Sequence, residues 1–330
     1  MPQASDSAPP GYLDPRVESL PAPPPPEMDF SNRLDGIIIP VWAGDVYLAK
    51  ACCASVRQSM GDIPITLLVD GPATDTRELQ RLPGVSRIVL QEVVEPEIAR
   101  LCTGNSWVKL PLFWMSPYQR FLCIDADLLV WGDLRAYAEF DKYDFIAAYH
   151  FSGPVVVQTP ESCPYDVEVV RKLDPALNWR GQIDANNGVS FAQRGIFAKE
   201  DLIKLRQLDC WRCFENGLVN YLRWKGACDG VVRTGGHNMQ LFPAEESMSP
   251  EDRFLPRNCQ QPAIIHWISK KPRLGRSYRA SDDFRKLFLK MTGRSHWLNV
   301  RLFLEDFGVW LQRQSRSLNQ RWWRIQKSKP

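Results

Sequence analysis

The sequence predicts an α/β fold with a mostly parallel central sheet flanked by helices. Short apolar runs rich in β-branched residues alternate with segments whose apolar residues recur every three or four positions, the signature of strands joined by helical crossovers. The longest such run, Phe121 to Val130, is interrupted only by Asp125 and Asp127. Side chains two apart on a strand share a face, so the two carboxylates project together from the end of a buried strand, the side on which open parallel sheets bind ligands.

The first strand is Gly36-Ile-Ile-Ile-Pro-Val-Trp42. A helix follows from Asp45, which is placed as cap or early-turn anion, with Val46, Ala49, Cys53, Val56 and Met60 as its apolar stripe. Ile63 to Val69, stopped by Asp70-Gly71, is the second strand, and Ser86 to Leu90 the third, after a helical turn around Thr74 to Leu82. Residues 106 to 116 predict a helix with Trp107, Leu110 and Trp114 on one side. The strand that carries Asp125 and Asp127 follows. Further strands are expected at Tyr143–Tyr149, Gly188–Ala192 and Ala263–Ile268. A helix is expected at Cys213–Trp224, with Phe214, Leu218, Tyr221 and Leu222 as its buried stripe.

A chain of 330 residues can bury a substantial core, and its formal net charge of +3 is too small to argue for nucleic acid. Nine cysteines without an apolar signal-peptide core imply reduced thiols in a cytoplasmic setting. Cys210-x-x-Cys213 lacks the second ligand pair a zinc site needs, which leaves packing or incidental thiols as the simpler reading. No window is apolar enough for a transmembrane helix. Three regions follow: a Pro-rich segment 1–30 with nine prolines, too poor in apolar residues to fold alone; a catalytic domain 31–294; and a tail 295–330. The first is a spacer or a proline-rich ligand. In the tail, Trp297, Val300, Phe303, Leu304, Phe307, Trp310 and Leu311 form a helical stripe, followed by six basic residues interleaved with Trp322 and Trp323. Such a segment suits the anionic inner face of a membrane, or equally a helix packed on the domain with a solvated basic end.

Two carboxylates about 5 Å apart at an effective dielectric near 20 repel by roughly 3 kcal/mol, so Asp125 and Asp127 either cap a turn or share a cation. A hard divalent metal carrying a phosphate-bearing ligand answers the second requirement. Three later segments join them. Asp184-Ala-Asn-Asn-Gly-Val189 sets two amides and a glycine at the entry to an apolar run, where amides can bind hydroxyls and bare backbone can approach a ligand. Glu215-Asn216-Gly-Leu-Val-Asn220 puts acid and amide beside a helix's core stripe. Ile264-Ile-His266 ends an apolar run in an imidazole, with Lys270 and Lys271 soon after.

In order and spacing these segments resemble the retaining glycosyltransferases of family eight, the group containing glycogenin and galactinol synthase. Asp45 and Tyr47 match that family's Asp-x-Tyr region, Lys109 its basic residue upstream of the D-x-D, and Cys123-Ile-Asp-Ala-Asp-Leu-Leu-Val130 its metal motif. Asn186-Asn-Gly-Val189, Glu215 to Asn220 and His266 to Pro272 look like its remaining motifs. In the last of these Lys271 arrives one residue early and Ser269 replaces glycine, and Glu215 is one methylene longer than the family's Asp.

The resemblance implies the GT-A nucleotide-diphospho-sugar transferase fold and a metal-dependent hexosyltransferase. Its donor would be a UDP-sugar, its metal Mn2+ (or Mg2+), and its acceptor a hydroxyl of a glycan, lipid-linked glycan or protein. Residue by residue, Asp125, Asp127 and His266 would be metal ligands. Asp45, Tyr47, Lys109, Asp125, Ala126, Asn186, Asn187, Gly188, Lys270 and Lys271 would line the nucleotide-sugar site, and Glu215, Asn216 and Asp184 the reacting centre. The alternatives are a catalytically degenerate sugar-nucleotide-binding or membrane-associated scaffold and a sugar nucleotidyltransferase. Against the nucleotidyltransferase stands Pro40-Val-Trp-Ala-Gly-Asp45, where such enzymes carry a glycine-rich loop with a basic residue.

Overall fold

A computed structural model describes residues 34–130, 132–150, 153–241 and 263–266. The Pro-rich segment 1–30, the tail 295–330, and Lys270 and Lys271 lie outside the described residues. Among those described, no helix is long and apolar enough to cross a membrane.

In chain order the elements are β1 (Gly36–Val41), α1 (Val46–Met60), β2 (Ile65–Val69), β3 (Val85–Val89), α2 (Leu90–Val93), α3 (Pro96–Cys102), α4 (Leu112–Met115), β4 (Arg120–Ile124), β5 (Leu128–Val130), β6 (Phe145–His150), β7 (Val155–Val156), α5 (Val167–Leu173), β8 (Ile183–Asp184), β9 (Val189–Gln193), α6 (Lys199–Arg206), α7 (Glu215–Cys228), β10 (Thr234–Leu241) and β11 (Ile264–His266). Nine strands form one sheet in the order β3-β2-β1-β4-β9-β6-β10-β11-β5, and β7 and β8 pair as a short ribbon. Every residue of β1 and β2 is buried, as expected of parallel strands covered on both faces.

Only β9 and β5 run against the other strands. One edge of the sheet therefore collects the carboxyl ends of β1, β4, β10 and β11 together with the entries to β9 and β5. Asp45, Asp125, Gln240 and His266 stand at those carboxyl ends, and Gly188 and Asp127 at those entries. Parallel topology and two reversals bring these residues to a common edge before any side chain is considered.

The strand expected to end at Asp125 and Asp127 does so, and the apolar residues after them form a second strand. The first, β4, lies mid-sheet between β1 and β9, and the second, β5, forms the far edge against β11. Four residue steps from Ile124 to Leu128 reach at most about 14 Å. Five strand-to-strand steps in a flat sheet would need roughly 24 Å. The sheet must therefore curl so that its β5 edge returns toward β4. Helix α1 fastens the return: Cys52 Sγ lies 3.7 Å from the Asp125 carbonyl, Ser55 Oγ accepts from Val130 N at 2.9 Å, and Ser59 Oγ donates to Val130 O at 2.9 Å.

Other expectations also shift. The helix expected over 106–116 is a 3-10 turn, Asn105–Lys109, followed by the four-residue α4; Pro111, without an N–H, interrupts the run. At the start of α1 the Asp45 carboxylate makes no cap bond and instead accepts from the Trp42 indole N–H. Helix α7 begins at Glu215, so Phe214 is not part of a buried stripe but 47% exposed, while Leu218 and Tyr221 are buried as predicted. The eight described cysteines are free, Cys210 buried and Cys213 exposed.

Ser55→Ala deprives the buried Val130 N–H of its acceptor. It should lower the unfolding free energy by about 1–3 kcal/mol in urea denaturation.

Candidate active site

Lys109 is delivered by the 3-10 turn to a position only 7% exposed, where its Nζ lies 2.6 Å from Asp125 Oδ1 and 3.2 Å from Glu215 Oε1 and donates to the Asn187 carbonyl at 3.4 Å. Burial pulls the ammonium down, but Asp125 and Glu215 outweigh it and hold it above the ordinary lysine range. One cation cannot neutralise both acids. Glu215, the more distant and itself buried, is pushed above the usual carboxylate range by burial, with Asp125 adding to the rise and Lys109 opposing it.

Asp127 and His266 complete the acidic side. His266 Nε2 lies 3.3 Å from Asp127 Oδ1 and 3.7 Å from Asp125 Oδ2. Ligand atoms of Asp125, Asp127 and His266 all fall within 4.8 Å of one another. Burial, opposed by Asp125 and helped by Lys109, pushes the imidazole down to about 4, so it is neutral at physiological pH. Its Nδ1 meets Gln240 Oε1 at 2.8 Å.

Gly188 keeps this space open. A Cβ there would stand 2.1 Å from His266 Cε1 and 2.8 Å from Asp125 Oδ2. Its carbonyl accepts from Asp125 N at 2.7 Å, which holds the aspartate turn against the entry to β9. Its N–H donates to Asn186 Oδ1 at 2.8 Å.

Helix α7 shapes the loop before Gly188. Asn216 Oδ1 accepts from Asn187 N at 2.9 Å. The Asn220 amide accepts from Ala185 N at 3.0 Å and donates to Ala185 O at 2.8 Å and to Asp184 Oδ1 at 3.2 Å. Arg223 donates to the Ile183 carbonyl and, at 2.8 Å, to Asn220 Oδ1. Burial raises the Asp184 carboxyl, with Arg223 opposing.

The structure thus brings Lys109, Asp125, Asp127, Asn187, Gly188, Glu215 and His266 into one cluster, with Asn186, Asn216 and Asp184 in the loop and helix that frame it. Ala126 is buried between the two aspartates. Asp45 and the buried Tyr47 stand at the same sheet edge, at the start of α1. Asn220, Arg223 and Gln240 were not candidates on sequence. The spacing of Asn220 and Arg223 from Glu215 on one helix is the signal that could have found the first two; for Gln240 there is none.

A divalent cation fits the donor set. Two carboxylates and an imidazole converge, and Gly188 leaves room beside them. Glu215 Oε2 and Asn187 Oδ1 are buried without a hydrogen-bond partner among the described residues.

No protein-family model and no curated protein matches the chain. Among solved structures it is similar to the glycosyltransferase GlyE of Streptococcus pneumoniae, at 15% identity over 84% of this chain and 64% of that one, with a TM-score of 0.52. It is also similar to the bifunctional glycosyltransferase WbbM, at 14% identity over 82% of this chain and 51% of that one, with a TM-score of 0.50. The galactosyltransferase LgtC follows at 17% identity over 79% and 98% of the two chains, with a TM-score of 0.45. The chain therefore spans less than two thirds of GlyE and about half of WbbM. The first two likenesses establish the GT-A fold.

If a divalent cation binds here, Gly188→Ala should weaken it, read by titration calorimetry with Mn2+ as the probe, by at least about tenfold, because the new methyl occupies the space between His266 and Asp125. The depressed His266 imidazole also sets a pH dependence. Between its folded value of about 4 and the ordinary value near 6.5, the unfolded chain binds a proton that the folded chain does not. Stability contributed by this group is thus lost as pH falls through that window. Urea unfolding of His266→Gln should show a shallower loss than wild type from pH 6.5 downward.

Proposed function

We propose that the chain is a metal-dependent retaining glycosyltransferase that moves a hexose from a UDP-sugar to a hydroxyl acceptor. The observation that carries this reading is the convergence of Asp125, Asp127 and the neutral His266 at the carboxyl edge of a GT-A sheet, with Gly188 keeping the adjoining space open. The order of the family-eight motifs along the chain supports UDP as the nucleotide and retention as the outcome.

Asp125, Asp127 and His266 would hold the cation, which when bound supplies charge neutralisation to the leaving diphosphate. Lys109 acts on the same charge indirectly. Its ammonium is committed to Asp125 and Glu215, so it fixes the Asp125 carboxylate and limits the acidity of the cluster. Asn186 and Asn187, in the loop before Gly188, would contact the donor sugar and help orient the anomeric carbon. Glu215 is too deeply buried and too firmly paired to leave its place as a nucleophile; its charge, and that of Asp184, can stabilise oxocarbenium character from a fixed position. The incoming hydroxyl's proton then passes to the departing phosphate oxygen. The acceptor is a glycan, lipid-linked glycan or protein hydroxyl, and the basic aromatic tail 295–330 suits work at an anionic membrane surface.

A panel of UDP-sugars with Mn2+, scored for UDP release, tests the proposal. One donor should be hydrolysed slowly without acceptor. Asp125→Asn and Asp127→Asn should each reduce that rate at least about 100-fold with the circular dichroism spectrum unchanged, since electrostatic stabilisation of this kind is worth several kcal/mol. Undiminished turnover in chelator-treated buffer would sink it.

A further inference from the structure

We infer that Gln240 is a positioning residue that holds the proton of His266 on Nδ1 and thereby presents the Nε2 lone pair to the Asp125–Asp127 side. The inference rests on the metal-binding reading above for its consequence, and on hydrogen-bond geometry alone for its substance.

The orientation of the Gln240 amide is fixed by what it faces. Its Nε2 donates to the backbone carbonyl of Ala148 at 2.7 Å, and a carbonyl can only accept. Oε1 must then be the atom that meets His266 Nδ1 at 2.8 Å, and an amide oxygen likewise can only accept. The imidazole therefore carries its proton on Nδ1. With Nδ1 committed to Gln240, Nε2 is the nitrogen that faces the carboxylates, 3.3 Å from Asp127 Oδ1 and 3.7 Å from Asp125 Oδ2. A cation placed among the three would be met by the lone pair of Nε2 and by both carboxylates.

The backbone is irregular at the place where this contact is made. Along β10 the register with β6 runs His237↔Ala148 and Asn238↔Tyr149, then jumps to Gln240↔His150, so Met239 is an extra residue opposite no partner of its own. In a regular strand Gln240 would share the face of Asn238; the bulge turns it to the opposite face. Gln240 is in register with Ile264 of β11, and His266, two residues on, lies on the same face of that strand. Without the bulge the amide would point away from the imidazole. Bulges beside binding sites re-aim single side chains, and this one aims Gln240.

Groups that orient a ligating histidine through its other nitrogen typically change metal affinity 10- to 100-fold when removed. The experiment is a long-range 1H–15N correlation spectrum of the metal-free, 15N-labelled full chain at neutral pH. The chain has four histidines, and the His266 signals are assigned by their loss in His266→Gln. Wild type should show His266 protonated at Nδ1. In Gln240→Leu that pattern should give way to Nε2–H or to a mixture. Mn2+ affinity, measured by titration calorimetry without donor, should fall about 10- to 100-fold.

A wild-type His266 carrying its proton on Nε2 overturns the inference with no variant needed. So does a Gln240→Leu chain that keeps both the Nδ1 proton and wild-type affinity. If the tautomer shifts as expected but neither chain binds Mn2+ or Mg2+, Gln240 keeps its role toward the imidazole and the metal-dependent reading fails instead.

Discussion

The Lys109 ammonium is where separate parts of the chain are tied together. It reaches Asp125 in the turn between β4 and β5, Glu215 at the start of α7, and the carbonyl of Asn187 in the loop before β9. Glu215 is buried and Asp125 partly exposed, and breaking a buried pair such as Lys109–Glu215 by removing one partner typically costs 3–5 kcal/mol. The Lys109 turn and the start of α7 therefore stabilise one another's positions, and Asp125 is held to both. This explains why Lys109 sits on a tight 3-10 turn rather than on a regular helix face. Pro111 stops the helix that residues 106–116 would otherwise form, and the tightened turn carries the side chain inward.

The sheet supplies the other half of the constraint. Because β9 and β5 alone run in reverse, chain entries and chain exits meet at one edge, and residues far apart in sequence become neighbours there. Curling brings the β5 edge back within reach of β4, and the Cys52, Ser55 and Ser59 positions of α1, three and four residues apart on one helix face, clasp both halves. Asp125 and Asp127 thus belong to a turn stretched between mid-sheet and edge, held from three sides. A turn so held presents its carboxylates in a fixed geometry, which is what a hard cation requires of its ligands.

Much of this was legible in the sequence, and what was not has a common cause. The apolar runs revealed β1, β2, β3, β6 and β9 to within a residue or two; for β1 and β2, buried on both faces, a near-continuous apolar run is unavoidable. Asp125, Asp127 and His266 stood out because polar groups in apolar runs need a reason, Asn187, Gly188 and Glu215 as polar or bare positions beside apolar segments, and Lys109 through the family resemblance alone. Asp125 and Asp127 marked a break in 121–130, but nothing local said where the second half would pair. Only pairing with distant β9 and β11 decides. Gln240 was invisible for the same reason: its importance comes from a bulge defined by register with β6. The short β7–β8 ribbon and the amphipathic α5 and α6 are held by packing more than by propensity, and went unread.

The start of α7 shows why propensity and position part company at this site. Cys213 and Phe214 adopt φ of 55° and 60°, a left-handed conformation that costs residues with a Cβ about 1–3 kcal/mol each. A helix begun at Cys213, as the apolar stripe suggests, would bury Phe214 and carry Glu215 round to a neighbouring face. The left-handed pair delays the helix, leaves the Phe214 ring outside against Trp107, and turns Glu215 in toward Lys109. The surroundings enforce it. Arg212 donates to three carbonyls of residues 160–163, Trp211 Nε1 to Leu205 O, and a Cβ at Gly217 would meet the Pro164 carbonyl at 2.2 Å, so the loop is packed too tightly to relax. Local strain at two residues is thus maintained by contacts on both sides and by the ion cluster it makes possible. A sequence pattern tuned to lower the energy of α7 alone would have begun the helix earlier and left Lys109 with a single acid.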